Sequence, residues 1–267
     1  MIGSVHSDIL RSGLNERICG FQPISLESLK SKAELLQRRD NKYVLTTKDI
    51  ILFLQAAQES YDILEINTIR QFTYYSQYFD SQDLHTHQDH NKGRRRRIKI
   101  RHRNYVDTNR HYFEVKVKGL RKMTQKYRLR IQPSDLFLDG ALHPKLQDFC
   151  QKTLHEHNYH IWPHGFFPSI IVHYNRLTLV AKDSNERITV DNGIAFSVTN
   201  TDQQYHLNDD RWVVEVKSFT GRTNMDRWML RHGHRPMSKC SKYCMGINLL
   251  KQPGVNNCFS PVLRRCF

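Results

Sequence analysis

Residues Arg94 to Ile131 constrain the fold most, because charge alternates with period two in three successive runs. Lys99, Arg101 and Arg103 share one side of the first run. Glu114, Lys116 and Lys118 share one side of the second, with Val115 and Val117 on the other. Lys126, Arg128 and Arg130 share one side of the third, with Tyr127, Leu129 and Ile131 opposite. Successive strand side chains point to opposite faces of a sheet. Three adjacent strands of this kind make a sheet that is cationic on one face and apolar on the other. Like charges directly opposite on neighbouring strands destabilise a sheet. One such strand is readily a solvated face, but three in succession point to a polyanion that neutralises them.

The rest of the composition agrees. Lys plus Arg exceeds Asp plus Glu by 15 in 267 residues, which predicts a polyanionic partner. Charge alone does not choose among nucleic acid, nucleotide, polyphosphate and an acidic membrane surface. The longest apolar run, Ile50 to Leu54, is far too short to span a bilayer, and the N-terminus lacks the apolar core of a signal peptide. The expected location is cytoplasmic, with no transmembrane segment. Six cysteines without a CxxC pair read as reduced thiols; a zinc site from the last four is the weaker alternative. His85, His87 and His90 lie in a polar connection without a matching carboxylate pattern, so they read as surface histidines rather than metal ligands.

Taken in order, residues 1–24 read as an N-terminal arm without a clear period, residues 25–250 as one domain, and residues 251–267 as an irregular tail. Ser25–Gln37 suits an amphipathic helix, and Arg38–Leu45 a strand. Thr46-Thr47-Lys48-Asp49 is a capping box that starts a helix to about Ser60. Gln71–Phe79 is a strand, and Asp80–Asp83 would cap a short helix through His87. Pro133 opens a helix that runs to about His155 with a break near Gly140. Ser169–Val180, Glu186–Asp191, Ile194–Val198 and Arg211–Ser218 are strands. Asn192-Gly193 is the dipeptide of a two-residue hairpin turn. Gly221–His232 and Lys239–Leu250 read as helices, with Gly233 as the stop of the first.

The order of motifs resembles a known family. Arg39-x-x-Lys42-Tyr43, Tyr78-Phe79-Asp80, Arg101-x-Arg103-x-Tyr105 and Phe113-Glu114-Val115-Lys116 are followed by Lys126-x-Arg128-x-Arg130 and Tyr174-Asn175-Arg176. Arg187-Ile188-Thr189-Val190-Asp191, Glu215-Val216-Lys217 and Lys239-Cys240-Ser241-Lys242-Tyr243 complete the series. Over about residues 25 to 250 this resembles the VTC domain, the polyphosphate polymerase branch of the triphosphate tunnel metalloenzymes. The resemblance implies an α+β fold, an antiparallel eight-stranded β-barrel whose interior is a charged tunnel, with helices packed outside. It implies that Lys42, Arg101, Arg103, Lys116, Lys126, Arg176 and Arg187 grip the reacting phosphates. Lys99, Lys118, Arg128, Arg130, Lys239, Ser241 and Lys242 would be further phosphate contacts, and Arg128 could take the role given to Lys126. Glu215 would hold Mn²⁺ or Mg²⁺.

What the resemblance implies is the transfer of the γ-phosphate of ATP, or of another triphosphate, onto inorganic polyphosphate. One departure bears on the chemistry. Hydrolytic members of the wider superfamily open on a Glu-x-Glu-x-Lys strand, whereas this chain reads Arg39-Asp40-Asn41-Lys42. Cations in place of acids favour a polymerase over a triphosphatase, the first alternative. Glu114 and Asp191 read as partners that orient basic side chains, Glu114 for Lys116 or an arginine and Asp191 for Arg187, more readily than as metal ligands. A non-catalytic polyphosphate or nucleic-acid binder is the second alternative. Nucleic acid is not the expected partner, because Tyr112, Phe113 and Tyr127 are mixed between faces instead of alternating with the cations.

Overall fold

The computed structural model describes residues 2–32, 39–119, 124–159, 165–199, 203–250 and 259–267. Eight strands form its main pairing path. They are β1 (Arg39–Thr46), β2 (Phe72–Asp80), β3 (Arg97–Tyr105), β4 (Arg110–Lys118), β5 (Thr124–Ile131), β6 (Phe167–Ala181), β7 (Arg187–Ser197) and β8 (Arg211–Ser218). Their order across the sheet is β1-β8-β7-β6-β2-β3-β4-β5, and every pair along it is antiparallel. The architecture is thus α+β on a large antiparallel sheet. Among the described residues β1 and β5 are not paired with each other, so the ladder is open at that seam.

The sheet nevertheless curls. Lys116 on β4 senses the charges of Asp40 and Lys42 on β1 and of Glu215 on β8. Six strand spacings separate β4 from β1, about 29 Å on a flat sheet, too far for such an influence. The short segment before the last long helix gives the same answer. Cys240 accepts from Lys42 of β1, and the next residue, Ser241, accepts from Lys99 of β3.

Helices cover the outside as the alternation requires. The helices α1 (Ile2–Cys19), α2 (Leu26–Lys32), α3 (Thr47–Ala57), α4 (His85–Asn91) and α5 (Pro144–Glu156) are followed by α6 (Asn224–Arg231), α7 (Lys242–Leu250) and α8 (Ser260–Cys266). Phe53, Leu54, Met225 and Met229 of α3 and α6 pack on Tyr43, Leu45, Val214 and Val216. Leu146, Cys150 and Leu154 of α5 pack on Ile100, Phe113 and Val115. The helix α7 goes to the other side: its Tyr243 stacks on Tyr78, 4.9 Å between ring centroids, on the cationic face. A short, almost wholly buried helix therefore fills one end of the concavity.

Several local expectations hold. Thr46 caps α3 reciprocally with Asp49, as the capping box requires. Thr223 and Asp226 do the same for α6, and Gly233 follows it at φ +79°. Others need correction. Asn192-Gly193 is not a hairpin turn: β7 runs through it, with Asn192 opposite Asn175 and Ala195 opposite His173. Three steps on β7 oppose two on β6, a bulge, and Gly193 supplies its positive φ of +56°. Pro133 opens only a 3₁₀ turn. A tight hairpin follows, Phe137–Leu138 with Ala141–Leu142, turning at Asp139 and Gly140, both with positive φ. The helix begins afresh at Pro144. The two ends, which lack a clear period in sequence, carry α1 and α8; residues 251–258 of the tail lie outside the described residues. Phe259, Val262 and Cys266 are fully buried, which anchors α8.

Candidate functional site: a cationic concave face

The curl gathers basic side chains that are far apart in sequence. β3 contributes Lys99, Arg101 and Arg103, β1 contributes Lys42, and β4 contributes Lys116. β6 contributes Arg176, β7 Arg187 and β8 Lys217. The stretch Lys239–Lys242 enters from the plugging helix. Lys239 donates to the Asn91 carbonyl at 2.7 Å, and Lys242 bonds to Asp191.

Two buried carboxylates organise the arginines. Glu114, 1 % exposed, accepts two bonds from Arg101 at 2.6 and 2.7 Å and one from Lys126 at 3.1 Å. Burial opposes its ionisation, yet Arg101, Arg103 and Lys126 together hold it well below the usual carboxylate range. Asp191 is gripped by Arg176 through both oxygens, at 2.5 and 2.8 Å, and also by Lys242. Burial again opposes, and Arg176 and Lys242 bring its pKa down to about 2. Both carboxylates are committed as orienting groups.

Tyrosines do the rest of the positioning. The Arg176 guanidinium lies 5.1 Å from the ring centres of both Tyr74 and Tyr174, which stack on each other. Arg103 lies over Tyr74 and donates to the Tyr174 hydroxyl at 2.9 Å. Arg101 donates to the Tyr78 hydroxyl at 3.2 Å. A cation over an aromatic face is attracted by the ring quadrupole, so each guanidinium keeps a fixed plane. Tyr78 and Tyr174 stand in the motif series without an assigned role, and Tyr74 was not singled out from sequence. The signal was there, since Tyr74 and Tyr78 share a face by period two and Tyr174 lies two residues before Arg176.

Glu215 differs from the other inner acids. It is 16 % exposed and bonded to Lys217 at 2.7 Å and to Lys42 at 3.5 Å. Burial opposes its charge, and Lys217 and then Lys42 hold it well below the usual range. Lys217 lies two residues from Glu215 on the same face and belongs to the site, although the sequence motif Glu215-Val216-Lys217 carried no role for it. Asp191 pairs with Arg176 and Lys242, where the sequence had suggested Arg187.

Not every expected residue joins this group. Lys126, Arg128 and Arg130 lie on β5, the outer edge of the sheet, and all three are exposed. Lys126 reaches inward to Glu114, whereas Arg128 lies over Tyr112 at 5.0 Å. Charged side chains also protect an edge strand from pairing with another chain. Lys118 lies at the rim, opposite Arg97.

Residues 37–251 match the VTC domain family. The chain belongs to the VTC domain family. No curated protein matches it. Among solved structures, a protein from Bacillus halodurans provisionally described as an adenylate cyclase is similar at 11 % identity and a TM-score of 0.53, over 80 % of this chain and 97 % of that one. A protein from Hippeastrum, provisionally described as an adenylyl cyclase and reported with a dominant triphosphatase activity, is similar at 11 % identity. Its TM-score is 0.45, over 78 % of this chain and 93 % of that one. The first likeness is one of fold.

The donor set of this VTC domain fits a hard divalent ion only with help. Among the described residues, no three His, Cys, Asp or Glu side chains stand close enough to hold a metal by themselves. Glu215 and Asp40 lie diagonally across β8 and β1, where Glu215 faces Lys42 and Lys217 faces Asp40. Mg²⁺-type ions accept one or two carboxylates when phosphate oxygens complete the shell. His85, His87 and His90 fall on α4, where His87 is buried and not the surface residue expected, and no helix among the described residues is long and apolar enough to cross a membrane.

Lys116 gives the site a titration near neutrality. It has no ion-pair partner among the described residues. Burial lowers its pKa to about 7, aided by Lys42 and Lys99 and opposed by Asp40 and Glu215. Burial likewise takes Lys217 down to about 8 against the pull of Glu215. A phosphate chain laid against them favours their charged forms, so binding at pH 8 takes up about one proton. Calorimetry of triphosphate binding in two buffers of different ionisation heat should show this uptake, and Lys116→Met should lose most of it. Affinity should fall as pH rises from 6 to 9, because the cations are lost above their pKa values. Equal uptake by wild type and Lys116→Met would remove Lys116 from the ligand's path.

Proposed function

We propose that this protein is a polyphosphate polymerase, transferring the γ-phosphate of ATP, or of another triphosphate, onto a growing inorganic polyphosphate. One observation carries the reading: cations from six strands and the α7 segment converge on one concave face, while two of its buried carboxylates, Glu114 and Asp191, are each held by two cations. A site of this kind grips a linear run of phosphates and has little to recognise in a base. Phosphoryl transfer needs donor and acceptor in line and the charge on the transferred group offset. Arg101, Arg103 and Arg176, fixed by carboxylates and tyrosine rings, supply that offset with planar N–H donors. Lys42, Lys99, Lys116 and Arg187 hold the neighbouring phosphates, and Lys239, Ser241 and Lys242 approach from α7.

The terminal oxygen of the acceptor chain attacks the γ-phosphorus. The bond from that phosphorus to the β-phosphate oxygen breaks, and ADP leaves. The acceptor is already ionised, so no general base is required. Glu114 and Asp191, locked by cations, are poorly placed to activate water, which favours polyphosphate over water as acceptor. Glu215, with Asp40, would hold a Mn²⁺ or Mg²⁺ ion, which when bound polarises the transferred group.

The test is an incubation with γ-labelled ATP and Mn²⁺, with and without a short polyphosphate primer. A ladder of long labelled products, digested by a polyphosphatase, is the expected result. In Glu215→Gln the Mn²⁺ concentration needed for half-maximal turnover should rise about 10–100-fold. Labelled orthophosphate alone would make the protein a triphosphatase. Tight polyphosphate binding without turnover would make it a receptor.

A further inference from the structure

The register of the β3–β4 hairpin sets cation against acid at one end and cation against cation at the other. At the inner end Arg101 lies opposite Glu114, which also holds Lys126. Toward the rim beside α4, Lys99 lies opposite Lys116, and Arg97 lies opposite Lys118. Cation faces cation at two successive positions of one face. Side chains so placed are about 5 Å apart at Cβ, and like charges there destabilise the pair. The local titration agrees: Arg97, Lys99 and Lys116 all have lowered pKa values, with burial the first cause in each.

The line continues beyond the strand. Arg94, Arg95 and Arg96 are exposed between α4 and β3. Arg94 is tied down, its guanidinium to the Asp89 carboxylate at 3.1 Å and its N–H to the Asp89 carbonyl at 2.9 Å. Arg97 donates to the Arg94 carbonyl at 3.0 Å. The turn is thus fixed at both ends, and it presents Arg95 and Arg96, which have no ion pair among the described residues, to solvent. From Lys99 to Arg95 the chain covers about 13 Å at strand spacing.

We propose that Lys99 with Lys116, Arg97 with Lys118, and the exposed Arg95 and Arg96 form one continuous track that binds inorganic polyphosphate as it leaves the concave face past the C-terminal end of α4. The track rests on the polymerase reading for the origin of its ligand, and on register and exposure for its place. A linear polyanion laid along β3 offsets each like-charge pair in turn. Nucleic acid fits less well, because Tyr159, the aromatic whose hydroxyl bears on Arg97, is buried and bonded to Asp89 and is not offered for a base to stack on. The tyrosines of the site lie further along the sheet, already covered by arginines.

The test uses the full chain and the double variant Arg95→Ala with Arg96→Ala, which touches neither the core nor the concave face. Binding of triphosphate and of long polyphosphate is measured across a salt series, and product length is read from labelled ATP. Triphosphate affinity should stay within about twofold, while long-chain affinity falls about tenfold. The slope of log affinity against log salt should shrink by about 1.5 for the long chain, as expected for two lost phosphate contacts. Product chains should shorten while the initial rate holds. Unchanged long-chain affinity and salt slope would overturn the track, as would equal weakening of triphosphate. A single-stranded RNA that outcompetes polyphosphate of equal charge on the wild type would reassign the surface to nucleic acid. The binding arm needs no turnover. A wild type that makes no polymer, while the variant still loses long-chain affinity, refutes the polymerase and leaves the track standing.

Discussion

Glu114→Gln should destabilise the ligand-free protein by about 3 kcal/mol, a fall in Tm of about 6–12 °C. The carboxylate is 1 % exposed and accepts two bonds from Arg101 and one from Lys126. Glutamine keeps the shape but brings an NH₂ group toward two cations and leaves their charge uncompensated. Breaking a buried pair from one side costs about 3–5 kcal/mol. The lower end applies because Arg101 and Lys126 are 21 % and 43 % exposed and can rehydrate. The pH dependence follows from a depressed carboxyl pKa. The stabilisation is fully present above the unfolded value of about 4.3 and is lost progressively as pH falls below it. The gap between wild type and variant should therefore narrow in acid. Long polyphosphate should restore much of the variant's stability at pH 7, since it supplies the missing negative charge. Thermal unfolding with and without the polyanion measures both effects. A variant as stable as wild type would mean that the arginine cluster is satisfied by solvent alone.

This balance of charge explains what could be read from sequence and what could not. Period-two alternation told which side chains share a face, so Lys99, Arg101, Arg103, Glu114 and Lys116 were placed correctly relative to the sheet. Thr46 with Asp49 announced α3, because a capping box is local chemistry. The partners across the concavity were not legible. That Lys42 meets Cys240 and Lys99 meets Ser241 depends on curl and on α7 lying on the inner side, and neither leaves a local pattern. Lys126, Arg128 and Arg130 looked equivalent to the other two runs, yet among the described residues their strand has one neighbour, and of the three exposed cations Lys126 turns inward to Glu114. Asn192-Gly193 misled for a different reason. A residue with positive φ serves a bulge as well as a turn, and only the pairing of β7 with β6 on both sides of Gly193 distinguishes them. Glu114 and Asp191 were recognised as orienting groups in kind. The identity of their partners needed the fold.

Arg101→Lys should lower kcat/KM for the proposed polyphosphate synthesis by about 10²–10³-fold while leaving the fold largely intact. Charge is retained, so Glu114 keeps a counterion and the stability cost stays well below that of Glu114→Gln. What is lost is the planar donor set. Two N–H groups of Arg101 are spent on one oxygen of Glu114, and another reaches the Tyr78 hydroxyl. That leaves the remaining donors of a guanidinium held in a known plane toward the concave face. An ammonium offers a point charge on a flexible stem, without that plane. Removing one preorganised donor from a site that stabilises developing charge costs about 10²–10³ in rate. The loss should fall mainly on kcat, because Lys42, Lys99 and Arg176 still bind the ground-state phosphates. Steady-state kinetics alongside thermal unfolding separates the two effects. Turnover within threefold of wild type would show that Arg101 acts only as a charge. A large drop in Tm would show instead that its bonds to Glu114 serve the fold before they serve the reaction.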